Sequence, residues 1–196
     1  MKKKFTNFSF VLTSIILLLS SCTAQTEPEN ALATQLIGAL ATDIANTKIL
    51  QNSSFTTDYN AKIKNRTHNL VLATKSIHDV VIQPTDTFSF NETLGPITKD
   101  RGYKSAKIFI KGKELEGIGG GVCQVSSTLY NAADKAGLEI VERHPHSKRV
   151  HYVEKNRDAA TSYGGIDLKI KNNMQYPVKI IAKADNGKLT VSLERI

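Results

Sequence analysis

Apolar residues recur along the chain with two different periods, and the change of period separates a helical first part from a strand-rich second part. Intervals of four predict an amphipathic helix through Leu32, Leu36, Leu40 and Ile44. A polar break follows at residues 52–57. A second helix is predicted after Thr67, and its apolar face consists of Leu70, Ala73, Ile77 and Val80.

From Thr87 onwards, short apolar runs and alternating positions indicate β-strands. The predicted strands are 87–90, 107–110, 138–142, 150–153, 166–170, 178–182 and 189–193. One helix interrupts them, from about Val122 to Ala136, and Gly137 caps its C-terminal end. This order predicts an α+β fold, a small and mostly antiparallel sheet domain around a central helix, with one or two further helices before it.

The first 30 residues have the pattern of an export signal. Three lysines at positions 2–4 precede an apolar run from Val11 to Leu19, which is too short to span a membrane. The sequence Leu-Ser-Ser-Cys that ends at Cys22 resembles a bacterial lipobox, which implies cleavage before Cys22 and lipidation of its thiol. The alternative is that Cys22 is an ordinary residue of a signal peptide.

The lipobox interpretation predicts the domain organisation and the location. Residues 1–21 are then a lipoprotein signal peptide, 22–30 a flexible tether, 31–57 a helix and linker, and 58–196 the main domain. We expect a protein anchored by lipid to the extracytoplasmic face of the cell membrane. Beyond residue 21 the net charge is near +5 without a concentrated basic run, so no nucleic acid partner is expected.

Lipidation of Cys22 would leave Cys123 without a partner in the chain, because the sequence has two cysteines. Such a thiol is either buried and inert, paired between chains, or kept for its reactivity. Cys123 lies in the first turn of the central helix, where the helix dipole favours the thiolate. The glycines before it, Gly120 and Gly121 among them, allow close approach and offer backbone N–H groups to an oxyanion. The alternative is a flexible turn.

Polar neighbours complete a candidate nucleophile site. Gln124 and Ser126 supply donors beside the thiol. A base is expected from the segment ERHPHSKRVHY, where His144 and His146 share one face of an extended chain, and either ring can serve. Three histidines also raise the question of a metal, but their spacing does not resemble a zinc signature. We therefore expect neither a metal nor a cofactor.

Three stretches, GGGVCQVSSTLYNAA, AGLEIVERHPHS and YGGIDLKIKNN, resemble the VanW family, and the likeness runs from about Asn65 to Ile196. The resemblance implies a vancomycin-resistance accessory-type protein that acts on the cell wall, and some members are linked to cysteine L,D-transpeptidase activity on peptidoglycan stem peptides. It implies Cys123 as nucleophile and His146 as base. Asp167 either orients that base or has a structural role at a strand start. Arg143 is expected to hold stem-peptide carboxylates.

Two other functions remain open at this point. A cysteine wall endopeptidase or amidase would use the same nucleophile and base, with water as acceptor. A non-catalytic protein that binds wall precursors would not need the thiol at all.

Overall fold

The computed structural model describes residues 32–38, 53–110 and 113–196, and the chain divides into two compact units, 1–45 and 46–196. In the first unit residues 32–38 are helical, and Leu32, Leu36 and Ile37 are exposed. The predicted signal peptide, the tether and Cys22 lie outside the described residues. None of the described helices has the length and apolar character needed to cross a membrane.

The second unit contains three helices and nine strands among its described residues. In chain order they are β1 (Phe55–Asp58), α1 (Lys64–Ile77), β2 (Val81–Ile82), β3 (Thr87–Ser89), α2 (Phe90–Leu94), β4 (Ser105–Ile110), β5 (Lys113–Ile118), α3 (Val122–Lys135), β6 (Glu139–Glu142), β7 (Lys169–Lys171), β8 (Val178–Asp185) and β9 (Lys188–Arg195).

These strands form two sheets and a separate hairpin. The larger sheet has the order β1-β9-β8-β2, the smaller one has the order β3-β7-β6, and β4 pairs with β5 alone. Every strand pair is antiparallel. The predicted α+β class and the mostly antiparallel arrangement are confirmed.

Helix α3 is the central element of the core. It contacts β1, β9, β6 and α1. Its apolar residues Val125, Leu129 and Ala132 are fully buried, and so are several small polar residues on its other faces. Those polar side chains are hydrogen-bonded; Thr128, for example, contacts Thr57 of β1. A helix buried on nearly all sides holds its first turn in a defined position.

Several local predictions are wrong. The helix predicted after Thr67 ends at Ile77, so Val80 lies beyond it rather than on its apolar face, and only residues 169–170 of the predicted strand 166–170 lie in β7. Residues 150–153 form a loop rather than a strand, although Val150 and Val153 are buried. The expected polar break at 52–57 contains part of β1, whose polar residues fit an edge strand. Strand β5 was not predicted, because its first four residues are exposed and its sequence therefore lacks the pattern of a half-buried strand.

Candidate active site

The glycines before Cys123 are required because other backbone segments pass very close to them. A Cβ atom at Gly121 would lie 2.8 Å from the carbonyl oxygen of Arg66, and one at Gly120 would lie 2.4 Å from that of Lys107. Gly121 also has a φ of 107°, which side chains disfavour. Asn69 binds the carbonyl of Gly120 through Nδ2 at 3.0 Å. The turn is therefore held in place, and the alternative of a flexible turn does not fit.

The thiol of Cys123 opens into a cavity of about 530 Å³ at the start of α3. Cys123 is a free and partly exposed cysteine. Its Sγ lies 3.6 Å from the carbonyl oxygen of Thr161 and 3.9 Å from the Thr161 hydroxyl. A cavity of this size is typical of sites for small ligands.

His146 lines the same cavity, and its interaction with the Cys123 thiol lowers the pKa of that thiol. Asp158 accepts a hydrogen bond from the imidazole, at 2.6 Å between Nδ1 and Oδ2, and a second from the His146 backbone N–H at 2.7 Å. Because Nδ1 is bound to Asp158, Nε2 is the ring nitrogen available to Cys123. Cys123, His146 and Asp158 thus match a nucleophile, base and carboxylate arrangement.

The electrostatics of this arrangement favour the ion pair. Burial opposes ionisation of Cys123 most strongly, but the hydrogen bond and charge of His146, with contacts to Thr161, bring the thiol pKa below its ordinary value. Burial likewise opposes protonation of His146, and interactions with Cys123 and Asp158 outweigh it, so its pKa is raised. The lowered cysteine pKa and the raised histidine pKa both mean that the thiolate and the imidazolium are favoured over the neutral thiol and imidazole.

The predicted partners of the base are only partly correct. His144 is not among the residues that line the cavity, and its Nε2 lies 3.1 Å from Oε1 of Glu142. Asp167 does not contact His146; its carboxylate accepts from the Ser89 hydroxyl and from the backbone N–H of Asn91, at the start of α2. Of the two roles considered for Asp167, the structural one at a strand start therefore fits, and Asp158 is the carboxylate bound to His146.

Gln124, Ser126 and Arg143 support the site rather than offering free donors to the cavity. The Gln124 amide donates to Thr57 and Asp58 of β1 and accepts from Arg66. Ser126 donates to the carbonyl of Ala159 at 2.7 Å.

The guanidinium of Arg143 donates two hydrogen bonds to Asp158. Nε donates to the Asp158 backbone carbonyl at 2.6 Å, and Nη2 donates to the Asp158 carboxylate at 3.3 Å. The prediction that Arg143 binds substrate carboxylates therefore does not fit, since it holds the carboxylate of Asp158 in position.

Two residues that the sequence did not single out tie the loop of Asp158 to α3. Ser127 donates to the carbonyl of Cys123 at 2.7 Å and accepts from the N–H of Ala159 at 2.9 Å. Tyr152 donates to the same Cys123 carbonyl at 3.3 Å. Only the serine pair in CQVSS hinted at such bonds, because small hydroxyl residues inside a buried helix need partners.

The first turn of α3 also leaves backbone donors free. Within the described part of the chain, the N–H groups of Gly120, Gly121 and Cys123 have no hydrogen-bond acceptor. Unpaired N–H groups at a helix start bind anions. Binding of an oxyanion by the N–H groups of Gly120 and Gly121, expected from the sequence, stays a prediction.

Comparison with known proteins identifies relatives of this chain. The family model described as VanW like protein matches residues 65–194. The uncharacterized protein YoaR of Bacillus subtilis is 45% identical over 150 residues, which are 76% of this chain and 50% of the relative. The vancomycin B-type resistance protein VanW of Enterococcus faecalis is 33% identical over 132 residues, 64% of this chain and 48% of the relative. The chain thus spans about half the length of these curated relatives, and no solved structure matches it.

Proposed function

The chain belongs to the VanW-like family, and we propose that it is a cysteine acyltransferase that cross-links peptidoglycan stem peptides as an L,D-transpeptidase. One observation carries the proposal, namely that Cys123 and His146 line one cavity while Asp158 is hydrogen-bonded to the His146 imidazole at 2.6 Å. A structural cysteine does not need an oriented imidazole or a lowered pKa. The peptide substrate is proposed from the family resemblance.

The proposed reaction has two halves. The Cys123 thiolate attacks the carbonyl of the third residue of a donor stem, and the C–N bond to the terminal D-alanine breaks after His146 gives its proton to the leaving amine. A thioester on Cys123 and a free D-alanine result. The side-chain amine of a neighbouring stem then attacks the thioester, His146 takes a proton from it, and the thiolate leaves as the new amide forms.

The surrounding residues have separate roles in this proposal. Backbone N–H groups of Gly121 and Cys123 stabilise the oxyanion of each tetrahedral intermediate. Asp158 holds His146 with Nε2 towards the sulfur and stabilises its positive charge. Lipidation at Cys22 would keep the domain at the membrane surface, next to the wall.

Mass spectrometry of the intact protein tests the proposal. The protein is incubated with a tetrapeptide stem that ends in D-alanine, and an adduct with the mass of the tripeptide acyl group is expected on Cys123. Cys123→Ala and His146→Ala should form no adduct, whereas the matched control His144→Ala should form it normally. Absence of any adduct with the unchanged protein would leave a wall-precursor-binding protein as the function.

The fate of the adduct separates transferase from hydrolase. Addition of a second stem with a free side-chain amine should release a cross-linked dimer for an L,D-transpeptidase. Release of free tripeptide alone, at a rate independent of the amine, would instead indicate an amidase or endopeptidase with water as acceptor.

A further inference from the structure

The cavity around Cys123 carries positive charge without any carboxylate. Arg66, Lys107 and His146 line it, and none of its described lining residues is Asp or Glu. The charges of two of these cations are already balanced, because Lys107 pairs with Glu114 and His146 with Asp158. Arg66 differs from the other two cations because no carboxylate of the described residues pairs with it.

Arg66 is partly buried, and within the described residues no carboxylate forms an ion pair with it. Its Nη2 donates to Gln124 Oε1 at 2.7 Å, and that amide is neutral. The nearest acidic residue in this network, Asp58, gives its carboxylate to Lys188 at 2.8 Å. Burial lowers the Arg66 pKa, yet arginine stays protonated near neutral pH. A desolvated cation without a counter-ion is costly unless an anion binds it.

Arg66 is placed next to the nucleophile by tight backbone packing. A Cβ atom at Gly121, two residues before Cys123, would lie 2.8 Å from the Arg66 carbonyl oxygen and 3.0 Å from its Cγ. Gln124, which follows Cys123, accepts the guanidinium hydrogen bond. Arg66 and Cys123 both line the cavity.

We propose that Arg66 binds the free C-terminal carboxylate of the acyl donor, so that the site accepts peptides whose chain ends inside the cavity. This inference rests on the proposed acyl-transfer function and adds a donor specificity to it. A guanidinium presents two parallel N–H groups to a carboxylate. Peptides that continue beyond the scissile bond, as inside an existing cross-link, lack that carboxylate.

The alternative role of Arg66 is stabilisation of the oxyanion. The backbone N–H groups of Gly121 and Cys123 are free for that purpose within the described chain. A permanent cation matches a permanent carboxylate, whereas an oxyanion exists only during the reaction. The two roles predict different results, because carboxylate binding affects affinity for acid-terminated peptides alone, and oxyanion stabilisation affects the acylation rate of every donor.

Binding to the full-length Cys123→Ala protein tests the proposal without turnover. Two probes are compared by calorimetry, a tetrapeptide stem with a C-terminal D-alanine carboxylate and the same peptide as its C-terminal carboxamide. A hydrogen-bonded charge pair predicts roughly 10- to 100-fold tighter binding of the acid. Added Arg66→Met should abolish this preference, and Arg66→Lys, with a single donor group, should reduce it. The matched control Arg149→Met changes an exposed arginine outside the cavity and should leave it unchanged.

Equal binding of the two probes, no binding of either, or a preference that survives Arg66→Met would overturn the proposal. If Arg66→Met does not fold, an undiminished preference in Arg66→Lys overturns it. In the protein that retains Cys123, Arg66→Met could instead slow acylation by the acid and the amide donor equally while leaving their affinities unchanged. That result would assign Arg66 to stabilisation of the oxyanion.

Failure of the underlying function gives a different pattern. Arg66-dependent binding of the acid without any acyl adduct would refute acyl transfer and leave the carboxylate site intact. Acyl adducts that form equally well from acid and amide donors would refute the carboxylate site and leave acyl transfer intact.

Discussion

Replacement of Asp158 by Asn should raise the pH at which Cys123 becomes reactive. Asp158 accepts two hydrogen bonds from His146, at 2.6 and 2.7 Å, and the side chains of both residues are only 10–11% exposed. Screening by solvent is therefore weak. The variant keeps an oxygen for the imidazole but loses the negative charge that helps to hold the proton on His146.

The expected magnitude follows from the strength of this bond. Hydrogen bonds to charged groups contribute about 1.5–3 kcal/mol, against about 1 kcal/mol for neutral ones. The difference, roughly 0.5–2 kcal/mol, corresponds to about one pKa unit. Asp158 is one of the groups that raise the His146 pKa, after the larger contribution of Cys123, so its neutralisation should lower that pKa by about one unit.

The pKa of the Cys123 thiol should move in the opposite direction to the pKa of the His146 imidazole. Protonated His146 is what brings the Cys123 pKa down against the effect of burial. If His146 loses its proton at lower pH, the thiolate loses its counter-ion, and the midpoint of thiolate formation moves upward. The measurement is the rate of alkylation of Cys123 by iodoacetamide across pH, and the expected shift is about one unit upward.

Asp167→Asn is the matched control, because it neutralises a buried carboxylate that binds Ser89 and Asn91 rather than the histidine. It should leave the alkylation midpoint unchanged even if it lowers stability. An unchanged midpoint in Asp158→Asn, or an equal shift in both variants, would refute the assignment of Asp158.

Three further predictions concern the packing and the anchor. Gly121→Ala should destabilise the domain in urea by at least about 2 kcal/mol more than Gly164→Ala, since both have positive φ but only the first places a Cβ against the Arg66 carbonyl; equal losses would contradict the packing argument. Ser127→Ala should cost about 1–3 kcal/mol of unfolding free energy, because it removes buried hydrogen bonds to the backbone; a loss within error would show that water replaces the hydroxyl. Cys22→Ala should abolish membrane partitioning of the exported protein without a change in its melting temperature, and retained partitioning would disprove the lipobox interpretation.

Local pattern was sufficient for the elements that bury one face. The apolar stripe of α3 predicted its limits to within a residue, and with them the position of Cys123 in the first turn. Strict alternation of Leu189, Val191 and Leu193 predicted most of β9, because the period of a side-chain pattern reflects which face packs on the core. The histidine segment was also recognisable, since a base for a thiol has few chemical candidates.

Tertiary structure decided which residues surround the thiol. Asp158 comes from an irregular loop that carries no periodic pattern, so sequence reasoning selected Asp167, next to a predicted strand, instead. Arg66 lies 57 positions before Cys123 and reaches the cavity only because α1 packs on α3. The glycines of this turn suggest close approach of a ligand, but in the structure the carbonyl oxygens of Arg66 and Lys107 pack against Gly121 and Gly120. Contacts of this kind depend on how distant segments dock, and local hydrophobic period contains no information about that.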